Sequence, residues 1–262
     1  MAGPEKIRVF LVDDVRELRR LVRLTLEEDP EIEVVGEASD GHGGVEGVAE
    51  TQPDVVLLDL SMPDMDGLEA LPLMRERAPN TRLVVLSGHE AGRVSLESLD
   101  QGATRYLNKA ADLEAIRSAV REVARLDPPF VDERFHIVRR MWTAFLNGAI
   151  DEMLDEAHPD ATWRPYAGAG RELHSQQEMR SFIDELTTEG RVVDPRAYGV
   201  EPHGNGLVVM GTLEIRGQGG LSETEVYWVF CFRGAKVSVA AGFDQRVEAL
   251  QAARNLCGSA DC

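Results

Sequence analysis

Five short apolar runs, each followed by an amphipathic segment, constrain the first half of this chain more than any other feature. The runs are IRVFLV (7 to 12), EIEVVGEA (31 to 38), DVVLLDL (54 to 60), TRLVVLS (81 to 87) and TRYLN (104 to 108). Between them, DVRELRRLVRLTLEE, GVEGVAETQ, GLEALPLMRER, GRVSLESLDQ and ADLEAIRSAVREVARL space their apolar residues as helices do. The second of these is rich in glycine and is the poorest helix former. Strands that alternate with helices build a parallel sheet covered on both faces, which is why VVLL is apolar without a break. Residues 1 to 126 are therefore expected to be a doubly wound α/β domain with five parallel strands. A break follows at DPPF, where consecutive prolines cannot continue a helix, so 127 to 131 reads as a linker.

The second half has a different pattern. ERFHIVRRMWTAFLNGAIDEMLDEA reads as a helical hairpin and SQQEMRSFIDELTT as a further helix. After them come VVDPRAYGVEP, NGLVVMGTLEIRG, LSETEVYWVFCFRG and AKVSVAAGFDQ, alternating runs separated by glycine-containing turns. Helices followed by an antiparallel meander predict an α+β domain over 132 to 252, with 253 to 262 as a tail.

Composition narrows the function classes. Net charge is -18, split as 15 basic against 25 acidic residues up to 126 and 13 against 21 beyond it. Neither half carries the basic footprint of a nucleic-acid binder, so no nucleic-acid partner is expected. No apolar run reaches the ~18 residues of a membrane span, and MAGPEKIRVF is not a signal peptide, which implies a cytoplasmic protein without a membrane partner. Cys231 lies in a strand-like run, while Cys257 and Cys262 lie in the polar tail. A buried small hydrophobe and an unstructured end are favoured over a disulfide or a metal site.

In an open α/β sheet, functional groups gather outside the carboxyl ends of the strands. Here those ends carry Asp13 and Asp14, Asp59, Ser87 and Lys109. With strands 1 and 3 as neighbours, three carboxylates converge on one pocket, and hard oxygen ligands with room for water suit Mg²⁺. Lys109 and Ser87 add a cation and a hydroxyl donor for phosphoryl oxygens, and an attacked carboxylate would become an acyl phosphate. Any single acid at such a position is accounted for as a helix cap, and Asp13 or Asp14 could do only that. Pro63 and Gly67 suit the sharp turn that this loop must make.

These motifs, VDD (12 to 14), DLSMPDMDG (59 to 67), SG (87 to 88) and YLNK (106 to 109), resemble the receiver domain of two-component response regulators. The resemblance implies a flavodoxin-like fold, with Asp59 as phosphoacceptor for a sensor histidine kinase. It implies Asp14, the water-linked Asp13, Asp59 and the Ser61 carbonyl as Mg²⁺ ligands. Ser87 would close on the phosphate, Tyr106 would rotate inward with it, and Lys109 would counter its charge. Ala110 stands where many receivers carry proline.

Residues 132 to 252 resemble the SnoaL-like branch of the nuclear-transport-factor-2-like superfamily, a cone of curved sheet wrapped by helices. The likeness rests on MWTAFLNGAIDEMLDEAHPDATW, GRELHSQQEMRSFIDEL and GAKVSVAAGFDQRVEAL. If the cone encloses a pocket, its wall is expected to include Trp142, Trp163, His174, Tyr198 and Trp228, although aromatic residues at such positions also serve simply as core. The positions where isomerase members carry carboxylates hold Arg164 or Pro165 and Trp228. His158, His174 and Asp244 have no partner by sequence. The expected output is thus a cone that binds a small apolar ligand or a protein partner, with homodimerisation open. A phosphorylation-controlled enzyme of isomerase or cyclase type, and a transcription regulator, are the alternatives.

Overall fold

The computed structural model describes residues 6–88, 92–110, 112–126, 133–168, 170–217 and 220–257. The expected linker at 127 to 131 and the end of the expected tail, 258 to 262, lie outside the described residues. The chain divides into two units, Met1–Val131 and Asp132–Cys262.

In the first unit, β1 (Ile7–Val12), β2 (Ile32–Ala38), β3 (Val55–Asp59), β4 (Arg82–Ser87) and β5 (Arg105–Asn108) pair in the order β2-β1-β3-β4-β5. Every pairing among them is parallel. Helices α1 (Arg16–Glu27), α2 (Gly41–Thr51), α3 (Gly67–Arg77), α4 (Arg93–Asp100) and α5 (Leu113–Ala124) connect and follow the strands. All five residues of β3 are buried, the result of cover on both faces. One core cluster joins Val22 and Leu26 of α1 with Ile116, Val120 and Val123 of α5 across Val9, Leu11, Leu57 and Val84. Full burial of each such side chain contributes about 2 kcal/mol.

The glycines of α2 have a packing cause that outweighs their low helix propensity. A Cβ at Gly47 would stand 2.3 Å from the Phe10 ring, and one at Gly44 would stand 2.8 Å from Val12 and from Met74. Asp40 caps this helix by accepting from the Gly43 amide at 2.8 Å.

Arg75 of α3 is buried, and its guanidinium donates to the carbonyls of Thr81 (2.7 Å), Pro79 (3.3 Å) and Gly102 (2.5 Å). Burial, together with the charge of Arg82, pulls its pKa down to about 10. Replacing Arg75 by methionine is expected to cost about 3 kcal/mol in urea unfolding, because buried carbonyls lose charged donors. An unchanged midpoint would show that this tie between α3 and the loop before β5 is dispensable.

The second unit begins with α6 (Glu133–Leu146) and α7 (Ile150–Asp155), the expected hairpin, followed by β6 (Ala157–Arg164) and α8 (Gln176–Thr188). Strands β7 (Val192–His203), β8 (Gly206–Gly217), β9 (Gly220–Arg233) and β10 (Lys236–Phe243) form the expected antiparallel meander. β6 adds a parallel edge along β10. The sheet order is β7-β8-β9-β10-β6.

Two expectations for the end of the chain are corrected. Helix α9 (Arg246–Leu256) continues into the segment expected as a tail, and Cys257 is joined to Cys231 by a disulfide rather than lying in an unstructured end. The physical reason is a stripe of small residues. Ala249, Ala253 and Cys257, spaced by four, face Val208, Val229 and Cys231 on the sheet and let the helix lie close to it. Among the described residues, no helix is long and apolar enough to cross a membrane.

Candidate functional site

The fold brings Asp13, Asp14 and Asp59 together at the carboxyl ends of β1 and β3, with carboxylate oxygens within 4.8 Å of one another. Asp59 is 1% exposed and Asp13 6%, whereas Asp14 faces solvent. The cluster is therefore walled on one side and open on the other. Asp59 Oδ1 accepts from the Ser61 amide at 3.1 Å, and Asp13 Oδ1 accepts from the Val15 amide at 2.8 Å. Asp13 thus braces the turn before α1, whose start takes no side-chain cap, and its second oxygen faces the cluster.

Lys109 supplies the positive charge. Its Nζ lies 2.7 Å from Asp13 Oδ2 and 2.8 Å from Asp59 Oδ2. Burial lowers the lysine pKa, yet the bonds to Asp13 and Asp59 outweigh it and hold the ammonium above its ordinary value. The Lys109 amide donates to the Ser87 carbonyl at 2.7 Å, which fixes the end of β5 against that of β4. One ammonium among three carboxylates leaves a formal charge of -2. Two carboxylates 4.8 Å apart repel by roughly 3 kcal/mol at an effective dielectric constant near 20. Hard oxygen donors, excess negative charge and an open side fit a small divalent cation such as Mg²⁺, with Asp13, Asp14 and Asp59 as the residues to hold it.

Ser87 is fully buried and Tyr106 is 2% exposed. Burial raises the tyrosine pKa, and its hydrogen bond with the Ser87 side chain partly offsets that. Tyr106 therefore sits inside, in contact with the hydroxyl at the end of β4. Every peptide bond among the described residues is trans, Lys109–Ala110 included.

Residues 9–121 match the family described as response regulator receiver domain. They form a response-regulator receiver domain. The chain is similar to the nitrate/nitrite response regulator protein NarL of Escherichia coli, with 40% identity over 126 residues, 47% of this chain and 57% of that protein. It is 38% identical over 120 residues to the transcriptional regulatory protein DegU of Brevibacillus brevis, covering 46% of this chain and 51% of the relative. Among solved structures, the response regulator domain of Thermotoga maritima CheB aligns with a TM-score of 0.45 at 31% identity, over 47% of this chain and 100% of that one. The chain spans about half the length of the curated relatives it matches.

The second unit holds an apolar cavity of about 100 Å³ between the sheet and helices α6, α7 and α8. Trp142, Trp163 and Trp228 line it. Trp142 meets Trp228 edge to face at 4.9 Å between ring centroids, and Trp163 meets Phe182 at 5.7 Å. The other two expected wall residues lie elsewhere. His174 has a side chain 62% exposed, with Nε2 3.9 Å from Glu172. Tyr198 bonds Glu225 on the opposite face of the sheet, where strand alternation from the wall residues Val193 and Pro195 places it. Phe230, Leu213 and Met179 are among the further wall residues for which no expectation had been placed. The alternation Val226, Trp228, Phe230 along β9, all buried, was the available signal. At the positions tested for carboxylates, Arg164 is solvent-exposed and paired with Glu172 at 3.4 Å, and Pro165 and Trp228 lie in the cavity wall.

Proposed function

We propose that this chain is a phosphorylation-controlled response regulator in which Asp59 accepts a phosphoryl group from a sensor histidine kinase. The observation that carries this reading is the Asp13–Asp14–Asp59 cluster closed by Lys109 beside the Ser87–Tyr106 pair. An Asp59 carboxylate oxygen attacks the phosphorus of the donor phosphohistidine. The new P–O bond gives an acyl phosphate as the P–N bond breaks, and the imidazole leaves neutral after taking up a proton. Lys109, already held at the cluster, offsets the added phosphoryl charge, and Ser87 turns its hydroxyl from Tyr106 to a phosphoryl oxygen. Mg²⁺ bound by the three aspartates, with the Ser61 carbonyl as a further ligand, would supply charge neutralisation to that transfer. Tyr106 is inward and joined to Ser87, so a change at the phosphate reaches β4 and β5 through one hydrogen bond. Labelling by acetyl phosphate in the presence of Mg²⁺ tests the assignment, and failure to label would sink it.

The second unit we read as a SnoaL-like cone whose cavity takes a small uncharged apolar ligand. Among the described residues, the wall carries no Asp, Glu, Lys, Arg or His, and Thr162, Tyr166 and the indoles are its polar groups. A charged ligand would be desolvated there without a partner. Dry cavities of roughly 150 Å³ admit benzene, so at about 100 Å³ this one takes a single ring with a small shift of its wall. Proton abstraction is not part of this reading, since a threonine or tyrosine hydroxyl is a poor base. The acidic balance of residues 127 to 262, 13 basic against 21 acidic, favours such an output over a reader of DNA. Saturating toluene is expected to raise the melting temperature of the chain, and Ala240→Leu, which fills the cavity from β10, should remove that rise. No shift with toluene would mean that the cavity is plain core.

A further inference from the structure

We propose that Cys231 and Cys257 form a reversible thiol–disulfide site that latches helix α9 onto the face of the second sheet opposite the cavity, opened by a dithiol reductant and closed by a peroxide. The disulfide joins the end of β9, near Arg233, to the residue that follows α9, across a sequence separation of 26. Both cysteines are buried, at 3% and 4% exposure.

Two observations point to the cystine as what holds this helix down. The first is the poverty of its apolar contacts. The fully buried residues within α9 are Ala249 and Ala253, while Val247 is 74% exposed and Leu256 40%. Two buried alanines contribute far less burial energy than Met179, Phe182, Ile183 and Leu186, with which α8 packs its own face. At its first residue α9 is held by Arg246, whose Nη2 lies 2.8 Å from both carboxylate oxygens of Glu201. Toward its other end Ala253 and the partly buried Leu250 and Ala252 pack lightly on the sheet, and Cys257 adds the covalent attachment.

The second observation is a seat shaped for the sulfur. A Cβ at Gly206 would lie 2.3 Å from Cys257 Sγ and 2.7 Å from the Phe230 carbonyl oxygen. Only glycine at the start of β8 lets the cystine rest against the backbone there. The residues just before Cys257, Arg254, Asn255 and Leu256, are exposed. Lifting that one turn, rather than unfolding the unit, brings the buried sulfurs within reach of a reductant.

The step balances as an ordinary exchange. A thiolate of the dithiol attacks one cystine sulfur, forms a mixed disulfide and releases the other cysteine. The second thiol of the reductant then displaces the first cysteine, so the cystine gains two electrons and two protons and the dithiol becomes a disulfide. In the closing direction, a peroxide oxidises one thiolate to a sulfenic acid with loss of an alcohol or water. The second thiol condenses with it, forming the S–S bond and releasing water. Once opened, α9 no longer covers Val208 and Val229, and the redox state decides whether that apolar face is presented.

The test uses the full chain after treatment with hydrogen peroxide or with dithiothreitol. Alkylation read by mass spectrometry should add one group to the oxidised protein, at Cys262, and three to the reduced one. Amide hydrogen exchange across 246–257 should speed up at least tenfold on reduction, while α8 keeps its rates, and peroxide should restore the slow state. Cys257→Ser should show the fast rates under both conditions. Three reactive thiols after peroxide, a cystine that yields only on global unfolding, or equal exchange of α9 in the two states would each overturn the proposal. The last comparison is made on the unaltered chain, so it stands even if the serine variant fails to fold.

Discussion

Asp59→Asn should reduce labelling by acetyl phosphate and Mg²⁺ to background, while the unaltered chain takes up an acid-stable, hydroxylamine-sensitive phosphoryl group. The amide keeps the shape of the carboxylate and an oxygen to accept from the Ser61 amide, now at 3.1 Å. What it lacks is the anionic oxygen that attacks phosphorus. Its effect on stability should run the other way from that of most buried substitutions. Removing one of three carboxylates within 4.8 Å of one another relieves repulsion, at the expense of the ion pair between Asp59 and Lys109. Lys109 retains Asp13 at 2.7 Å, so its charge is not stranded. In metal-free buffer the urea midpoint of Asp59→Asn is therefore expected to match or exceed that of the unaltered chain. Persistent labelling would remove Asp59 as the acceptor. A large loss of stability would mean that Lys109 is worth more to Asp59 than the repulsion costs.

The receiver was legible in the sequence because its signals are periodic and punctuated. Four of the five runs lead into these polar residues, and a parallel sheet places their ends on one edge, so Asp13, Asp59, Ser87 and Lys109 converge without knowledge of any side-chain position. The glycines of α2 obscured that helix in sequence, and their causes, the Phe10 ring at Gly47 and Val12 with Met74 at Gly44, lie far off along the chain. In the second unit the long alternating strands could be read, and the pairing of β6 with β10 could not. That register joins Ala157 to Val237 through nothing local. The cavity wall was half legible. Trp142 and Trp228 follow their elements' periods, and so does Tyr198, whose odd spacing from Val193 and Pro195 puts it on the other face. The cystine was missed because Ala249 and Ala253 make a faint apolar stripe, and a helix built on alanine reads as polar sequence.

The loop after Asp59 makes a second large effect predictable. The turn itself is made by Asp64, whose φ is 67°, in the left-handed region, so Gly67 serves a different purpose from the conformational freedom that the sequence suggested. A Cβ at Gly67 would lie 2.1 Å from the Asp59 carbonyl oxygen and 2.8 Å from the Leu60 Cα. These are backbone atoms at the end of β3, and the Gly67 amide donates to the Leu60 carbonyl at 3.0 Å, so neither side can swing away. Asp66 and Glu69 lock the start of α3 further through reciprocal side-chain-to-backbone bonds. Gly67→Ala must therefore push α3 off β3 or displace Asp59. We expect a loss of about 3 kcal/mol, the upper end for overpacking, and a melting temperature lower by on the order of 10 °C. Phosphorylation should slow with it, because the carboxylate moves with its backbone. Gly88→Ala, one residue beyond Ser87 with nothing within 4 Å of the added carbon, is the matched control and should leave both unchanged. Equal behaviour of the two variants would show that the close approach of Gly67 to the strand end does not position the acceptor.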